Sequence, residues 1–370
     1  QILVALIARW VLHTRDGDMV GGDFPGWLVS LLPPRLATNR VLVGTHWLSG
    51  LTDRRGECIY SACPHYRKCF VEKASRRARH ADIVVANHAL VMVLAAQQQN
   101  ESTDHSAPSD HATPSPVRGE TVPRIIFDEG HHLFDAADSA FSAFLSGLEM
   151  ADLRRWILGP EGRRRRGRSL TQRIDDLIET IPGAERSLSQ CRLAASSLPG
   201  AGWLPRIVER RPSGPAERFL SAIHEQVAAR NDGVGETAFG QEALPRPLND
   251  AVKTTISPLV DALTDLRKPL ADLARGLRGV IHDDDGSLDT ATRIRLESTA
   301  AGLDRRSAAL VPTWLNMLQS LECESDGNFV DWFSVARGSG RVIDVGLRRH
   351  WLDPTLPFAD LVLKPAHGVV

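Results

Sequence analysis

From Leu148 to about Glu324 the apolar positions keep helical time. Leu170, Ile174, Leu177, Ile178 and Ile181 form one set, and Leu259, Leu263, Leu266, Leu270, Leu273, Leu277 and Ile281 a second. Ile294, Leu303, Leu310, Trp314, Leu318 and Leu321 suggest a further long pair. Such spacing lays an apolar stripe along one helix face. Pro269 lies inside the second set and is expected to kink that helix. Between Pro199 and Pro247 dense Pro and Gly mark loops around one amphipathic helix, with Phe219, Leu220, Ile223 and Val227 on its apolar side. On either side of this block the rhythm changes. DIVVAN (Asp82 to Asn87) is a β-branched strand, and Arg124 to Phe127 form a continuous apolar strand, buried on both faces as in a parallel sheet. After Gly327, FVDWFSV and RVIDV read as strands, and the closing HGVV as the start of a buried one. A helical module is therefore expected between strands of an α/β domain.

Two stretches break these rhythms. The chain opens with a short apolar helix (roughly Ile2 to Leu12) and a Gly-rich turn, DGDMVGGDFPGW. Residues 97–121 are rich in Gln, Ser, Thr, Pro and Asp with almost no apolar anchor, and are expected to be a disordered insertion. No internal repeat of solenoid period is present.

A length of 370 residues suits two or three domains, and 42% hydrophobic residues is ordinary for globular proteins. The formal net charge of −1 carries no global basic excess, although a nucleic-acid groove needs only local charge. Three of the five cysteines fall between positions 58 and 69. That clustering suits a metal or cluster site in a reducing compartment better than a disulfide framework, and Cys191 and Cys323 read as core residues. The opening apolar run is too short for a bilayer span and lacks a signal-peptide leader, so a soluble, cytoplasmic protein with no membrane contact is expected. Gln1 and PAHGVV do not read as natural termini, which suggests an internal piece of a longer chain.

Two clusters carry candidate chemistry. In RIIFDEGHH, Asp128 and Glu129 follow a strand, at the position where open α/β sheets bind ligands. In nucleoside triphosphatases the first acid of such a pair holds Mg²⁺ and the second aims or deprotonates the attacking water. The bland alternative is that Asp128 caps the following helix. The spacing HExxH is absent, so His131 and His132 do not suggest a zinc peptidase. In GECIYSACPHYRKCFVE, Cys58, Cys63 and Cys69 are soft thiolate ligands on short loops. A [4Fe–4S] cluster normally takes four thiolates, whereas zinc could be completed by His65.

The order C-x4-C-x5-C, ADIVVANHALVM, IIFDEGHHL, with DVGLRRHWLDPTLPF near the end, resembles the iron–sulphur helicases of superfamily 2, the DinG/XPD type, and bacterial DinG-like proteins in particular. The resemblance implies an α/β fold: an incomplete P-loop (RecA-like) helicase motor domain carrying an Fe–S cysteine insertion and a helical arch insertion. On that basis residues 1–80 are the cluster region, 81–147 part of the first motor domain, 148–326 the arch-like insertion and 327–370 the return to the motor domain. Carried over, Cys58, Cys63 and Cys69 would be three ligands of a [4Fe–4S] cluster, with the fourth outside this chain. Asp128 would hold Mg²⁺, Glu129 would be the catalytic base, and His131 would couple nucleotide state to DNA. Gly130 stands where Ala is common in the family. Asn87 and His88 match its NH pair, which serves either as a structural turn or as a DNA contact.

The same resemblance implies a monomeric ATP-dependent helicase that moves 5′→3′ on single-stranded DNA and opens forked DNA. Basic and aromatic side chains around the cysteines are its candidate DNA contacts: Arg54, Arg55, Tyr66, Arg67, Lys68, Arg76, Arg77 and Arg79. The run Arg163 to Arg166 with Arg168 is denser, and for any single arginine a solvated loop is the bland reading. No G-x-x-x-x-G-K-[ST] loop occurs in the sequence and no second motor domain follows, so this chain alone is not expected to hydrolyse ATP. Two other readings stay open: a zinc-stabilised nucleic-acid-binding module without ATPase activity, and a helical interaction protein.

Overall fold

The computed structural model describes residues 2–17, 23–30, 63, 65–102, 124–161, 169–231, 240–284, 286, 288–323, 327–338 and 340–370. In chain order its first helices are α1 (Ile2–His13), α2 (Gly26–Ser30), α3 (Phe70–Arg79), α4 (His88–Ser102), α5 (Leu133–Phe141), α6 (Gly147–Leu158) and α7 (Leu170–Ile174). Then follow α8 (Ala184–Ala195), α9 (Trp203–Val208), α10 (Gly214–Arg230), α11 (Asp250–His282), α12 (Thr290–Asp304), α13 (Val311–Glu322) and α14 (Thr355–Phe358). The strands are β1 (Arg124–Ile125), β2 (Ala143–Ser146), β3 (Gln241–Ala243), β4 (Phe329–Gly338), β5 (Arg341–Trp351) and β6 (Gly368–Val369). None of the described helices is long and apolar enough to cross a membrane.

The helical block forms around α11. Asn249 starts this helix by accepting a hydrogen bond from the Val252 amide at 2.8 Å, which satisfies one of the orphan donors of the first turn. Val252, Ile256, Leu259, Leu263, Leu266, Leu270, Leu273 and Leu277 are all buried, and their alternating steps of four and three keep a single seam facing its neighbours. Helices α8, α10, α12 and α13 pack against it. The helix runs unbroken through Pro258 and Pro269, so neither proline ends it. Asp289 caps α12, Ser146 caps α6, and Ser169 forms a capping box with Gln172 at α7. Beyond α7 the expected stripe tightens into a 3-10 turn over Asp175–Thr180.

The strands after Gly327 form where the alternation places them, but they do not join β1. They make a hairpin, β4 against β5, within a four-stranded antiparallel sheet of order β2-β5-β4-β3. One face of this sheet, with Leu145, Phe333, Val335, Val345 and Leu347, belongs to the same core as the helices. Gly346 allows the closest approach: a Cβ there would lie 2.4 Å from the Leu145 carbonyl oxygen, so only glycine lets β2 run beside β5. Trp314 of α13 donates from its indole Nε1 to the Phe144 carbonyl at 3.0 Å, fixing the bundle to β2.

A second, smaller core lies apart from the first. It gathers Met92, Ala137, Phe358 and Val362, with Val91, Ile125, Phe127, Leu133 and Ala140 around them. Here β1 pairs with β6 in parallel, as expected, and the ladder continues through Phe127 N–H to Val370 O at 2.8 Å. The expectation of burial on both faces is corrected. Phe127 turns inward, edge-on to Phe358 at 5.8 Å, while Ile126 turns outward and is 80% exposed. Successive strand residues point to opposite faces, and no described layer covers the outer one. The closing strand β6 is likewise exposed rather than buried.

Other expectations also change. DIVVAN is not a strand in this structure, and Ile83 and Val85 are 84% and 96% exposed. β-Branched composition alone does not make a strand without a neighbouring edge to pair with. Helix α4 continues through residues 97–102, because the Ala-Ala-Gln-Gln-Gln run sustains helix despite its polarity. The rest of the expected disordered insertion, 103–121, lies outside the described residues. Cys191 is a core residue as expected, and burial pushes its thiol up to about 12. Cys323 is exposed, since it follows the last buried turn of α13.

Candidate functional site

The acidic motif stands immediately beyond the parallel pair. Asp128, Glu129 and His131 are all exposed at the end of β1, with the smaller core behind them. Glu129 is in the left-handed region at φ 52°, ψ 53°, a conformation that costs a non-glycine residue on the order of 1–3 kcal/mol and is concentrated at functional sites. The bend turns its carboxylate back toward His131, whose Nδ1 lies 3.2 Å from Glu129 Oε2. Asp128 Oδ1 accepts from the Glu129 amide at 3.1 Å. The short turn Gly130–His132 that follows takes Glu129 as its cap residue and has no side-chain cap bond, so Asp128 does not serve as the helix cap. His132 packs against His131, ring centres 3.9 Å apart and planes tilted by 41°.

The NH pair is tied to this motif. Asn87 Oδ1 accepts from the Leu90 amide at 2.8 Å and so caps α4, a structural role. His88 meets Phe127 at 5.9 Å, so α4 begins against the strand that carries the acids.

In the cysteine segment the structure describes Cys63 and Cys69, both half-buried free thiols. Cys58, Arg54, Arg55 and the run 163–166 with 168 lie outside the described residues. A 3-10 turn over Tyr66–Lys68 separates the two thiols, anchored by Tyr66 N–H to the Cys63 carbonyl at 3.0 Å. Among the described residues no group of three His, Cys, Asp or Glu could hold a metal ion, so two thiols alone do not complete a cluster site. His65 is exposed.

Of the candidate DNA contacts, Arg67, Lys68 and Arg77 are exposed, and Arg79 closes α3. Tyr66 and Arg76 are engaged within the segment. Tyr66 donates to Glu72 Oε1 at 2.8 Å, Arg76 Nε donates to the same oxygen at 2.6 Å, and the guanidinium lies 5.1 Å over the Tyr66 ring. The Glu72 hydrogen bond holds the Arg76 guanidinium further above its usual range, so the cation is firmly kept. One face of Tyr66 is therefore taken. Glu72 is a residue the sequence reading missed, although its position four before Arg76 on a helix is a legible signal. At the far side of the segment Gly17, at φ +69°, brings the opening Gly-rich turn onto Phe70, where a Cβ would meet the ring at 2.4 Å.

Against known proteins the chain is 33% identical over 163 residues to the ATP-dependent DNA helicase YoaA of Escherichia coli (strain K12), a match covering 41% of this chain and 20% of the relative. The ATP-dependent DNA helicase DinG of the same organism is 36% identical over 90 residues, covering 24% of this chain and 10% of the relative. This chain is related to the DinG/XPD-type DNA helicases. YoaA of Haemophilus influenzae (strain ATCC 51907 / DSM 11121 / KW20 / Rd) adds 33% identity over 106 residues, covering 28% of this chain and 14% of the relative. The chain thus spans about a fifth or less of the length of these curated relatives. No family model matches it. A helix-rich structure with one parallel and one antiparallel sheet is compatible with a helicase of the α/β kind.

Proposed function

We propose that this chain supplies the acidic motif and an adjoining helical insertion of an ATP-dependent DNA helicase. The full protein would couple ATP hydrolysis to 5′→3′ translocation on single-stranded DNA and to opening of duplex forks. The observation that carries this reading is the presentation of Asp128 and Glu129. Both acids stand exposed at the end of a parallel strand, Glu129 in a left-handed backbone, and Asp128 does not serve as the helix cap. Asp128 would hold Mg²⁺, which neutralises phosphate charge when bound. Glu129 aims or deprotonates the attacking water, and His131, in contact with Glu129, links that carboxylate to the neighbouring structure. The phosphate-binding loop that such a site needs has no counterpart in this sequence, so the reading concerns the full-length protein.

We assign residues 1–80 to a cluster region, 81–147 to the motor domain and 148–326 to the arch-like insertion. Of the stretch from 327 on, 355–370 shares the small core with the acidic motif and is the part we assign to the motor. Cys63 and Cys69 would be cluster ligands together with Cys58, and Arg67, Lys68 and Arg77 remain available to DNA.

The test is ATP turnover by the purified full-length protein with and without single-stranded DNA. Glu129→Gln is expected to lower DNA-stimulated turnover by roughly 10²–10⁴-fold while DNA binding persists. Turnover equal to that of the wild type would sink the assignment. Metal analysis of the same sample, prepared without air, is expected to find iron. Zinc in its place would favour the binding-module reading.

A further inference from the structure

Among the described residues the chain passes between its two cores at two places that lie side by side. One is Ser142, between α5, which packs in the small core, and β2, which packs in the large one. The other is the turn after Trp351, where β5 leaves the large core and α14 enters the small one. The crossings are neighbours because β2 and β5 are ladder partners from Ala143 and Arg349 onward. Just on the motif side of this joint, Asp138 of α5 faces His350 of β5. The His350 Nδ1 lies 2.8 and 2.9 Å from the two carboxylate oxygens, across 212 positions of sequence. Trp332 on the adjacent strand packs against the imidazole, ring centres 4.7 Å apart and planes tilted by 46°.

We propose that Asp138 and His350 form the clasp that couples the acidic motif to the sheet and helical insertion, acting as positioning residues for the energy-coupling step. This rests on the helicase reading above. Three features support it. Asp138 sits on α5, whose Leu133, Ala136, Ala137 and Ala140 are packed in the small core, so the helix moves as one piece with the motif it follows. The pair bridges two bodies with separate apolar cores, where a polar, half-buried contact can break and reform without opening either core. It also lies about one helical turn from Ser142, close enough to limit rotation of α5 about that single linking residue. Among the described residues helix α4 also touches the π-helical segment Arg305–Leu310 of the large body, so the clasp acts beside a further contact between the two bodies.

The test uses the full-length protein and three substitutions. His350→Phe keeps a ring against Trp332 and removes the hydrogen bond. Asp138→Ala removes the acceptor, and His350→Asn places an amide N–H near the position of Nδ1. The first two are expected to lower base pairs opened per ATP hydrolysed by about fivefold or more, while DNA-free ATP turnover stays within about twofold. His350→Asn is expected to restore much of the loss. Unchanged opening per ATP in His350→Phe overturns the proposal. So does an equal fall of turnover and opening in both variants with a lower Tm, which would make the pair a plain structural brace. Hydrogen exchange keeps the clasp testable should the wild type show no ATP turnover at all, an outcome that bears on the helicase reading alone. In His350→Phe the amides of α5 and of Gly130–His132 should exchange faster while those of β4 and β5 do not. Unchanged exchange at α5 would equally overturn the clasp.

Discussion

Asp344 is a carboxyl group sealed inside the sheet. It is buried on β5, where its Oδ1 accepts from the Leu148 amide at 3.1 Å and the Val345 amide at 2.9 Å. Burial outweighs these bonds and pushes its pKa up to about 7. An unfolded chain titrates aspartate near about 3.9. Between those values the folded protein holds one proton more than the unfolded one, so this group's contribution is complete below about pH 4 and is lost as pH rises through about 7. Asp344→Asn should flatten that decline, and thermal melts of both proteins between about pH 5 and 8.5 measure it. A wild type whose Tm does not fall relative to the variant over that range would refute the burial account. Nothing near Asp344 in the string RVIDV announces this environment, because the Leu148 amide it meets lies 196 positions away. Glu129 is the opposite case. Its chemistry is legible in four letters, while its left-handed backbone, between the end of β1 and the turn Gly130–His132, is not.

Among the elements, α11 was the most legible, because its stripe depends on spacing alone. Leu263→Ala should cost roughly 2–5 kcal/mol in urea denaturation, against less than about 0.5 for Asp261→Ala on the exposed face. Equal effects would mean the seam is not where the structure puts it. Strands were legible only as strands. Which edge each one finds depends on residues far away, so β4 pairs with β5 and β3, and β5 with β2, in a sheet separate from β1. DIVVAN illustrates the same limit, an apolar run with no ladder in the described structure. The cysteine segment was legible as chemistry. The network joining Tyr66, Glu72 and Arg76 was not, although it occupies two of the proposed DNA contacts.

For the whole molecule the two cores are the main fact. The larger runs from Leu145 to Leu347 and includes the antiparallel sheet, so residues 143–351 should unfold cooperatively when expressed without their flanks. Circular dichroism melts of that segment check this, and a broad, non-cooperative transition would show that the small core is needed. The adjacency of entry and exit also bears on the order of folding. Strands β1 and β6 are separated by about 240 residues of chain, a long loop to close for a two-residue ladder. Once the unit between Ala143 and Trp351 has formed, its ends are already neighbours, and only about 35 residues remain to be brought together. Loop-closure entropy then falls by about 1.5–2 kcal/mol. The acidic motif, which lies within that remaining loop, is therefore expected to take its final shape last, on a platform that the insertion has already assembled.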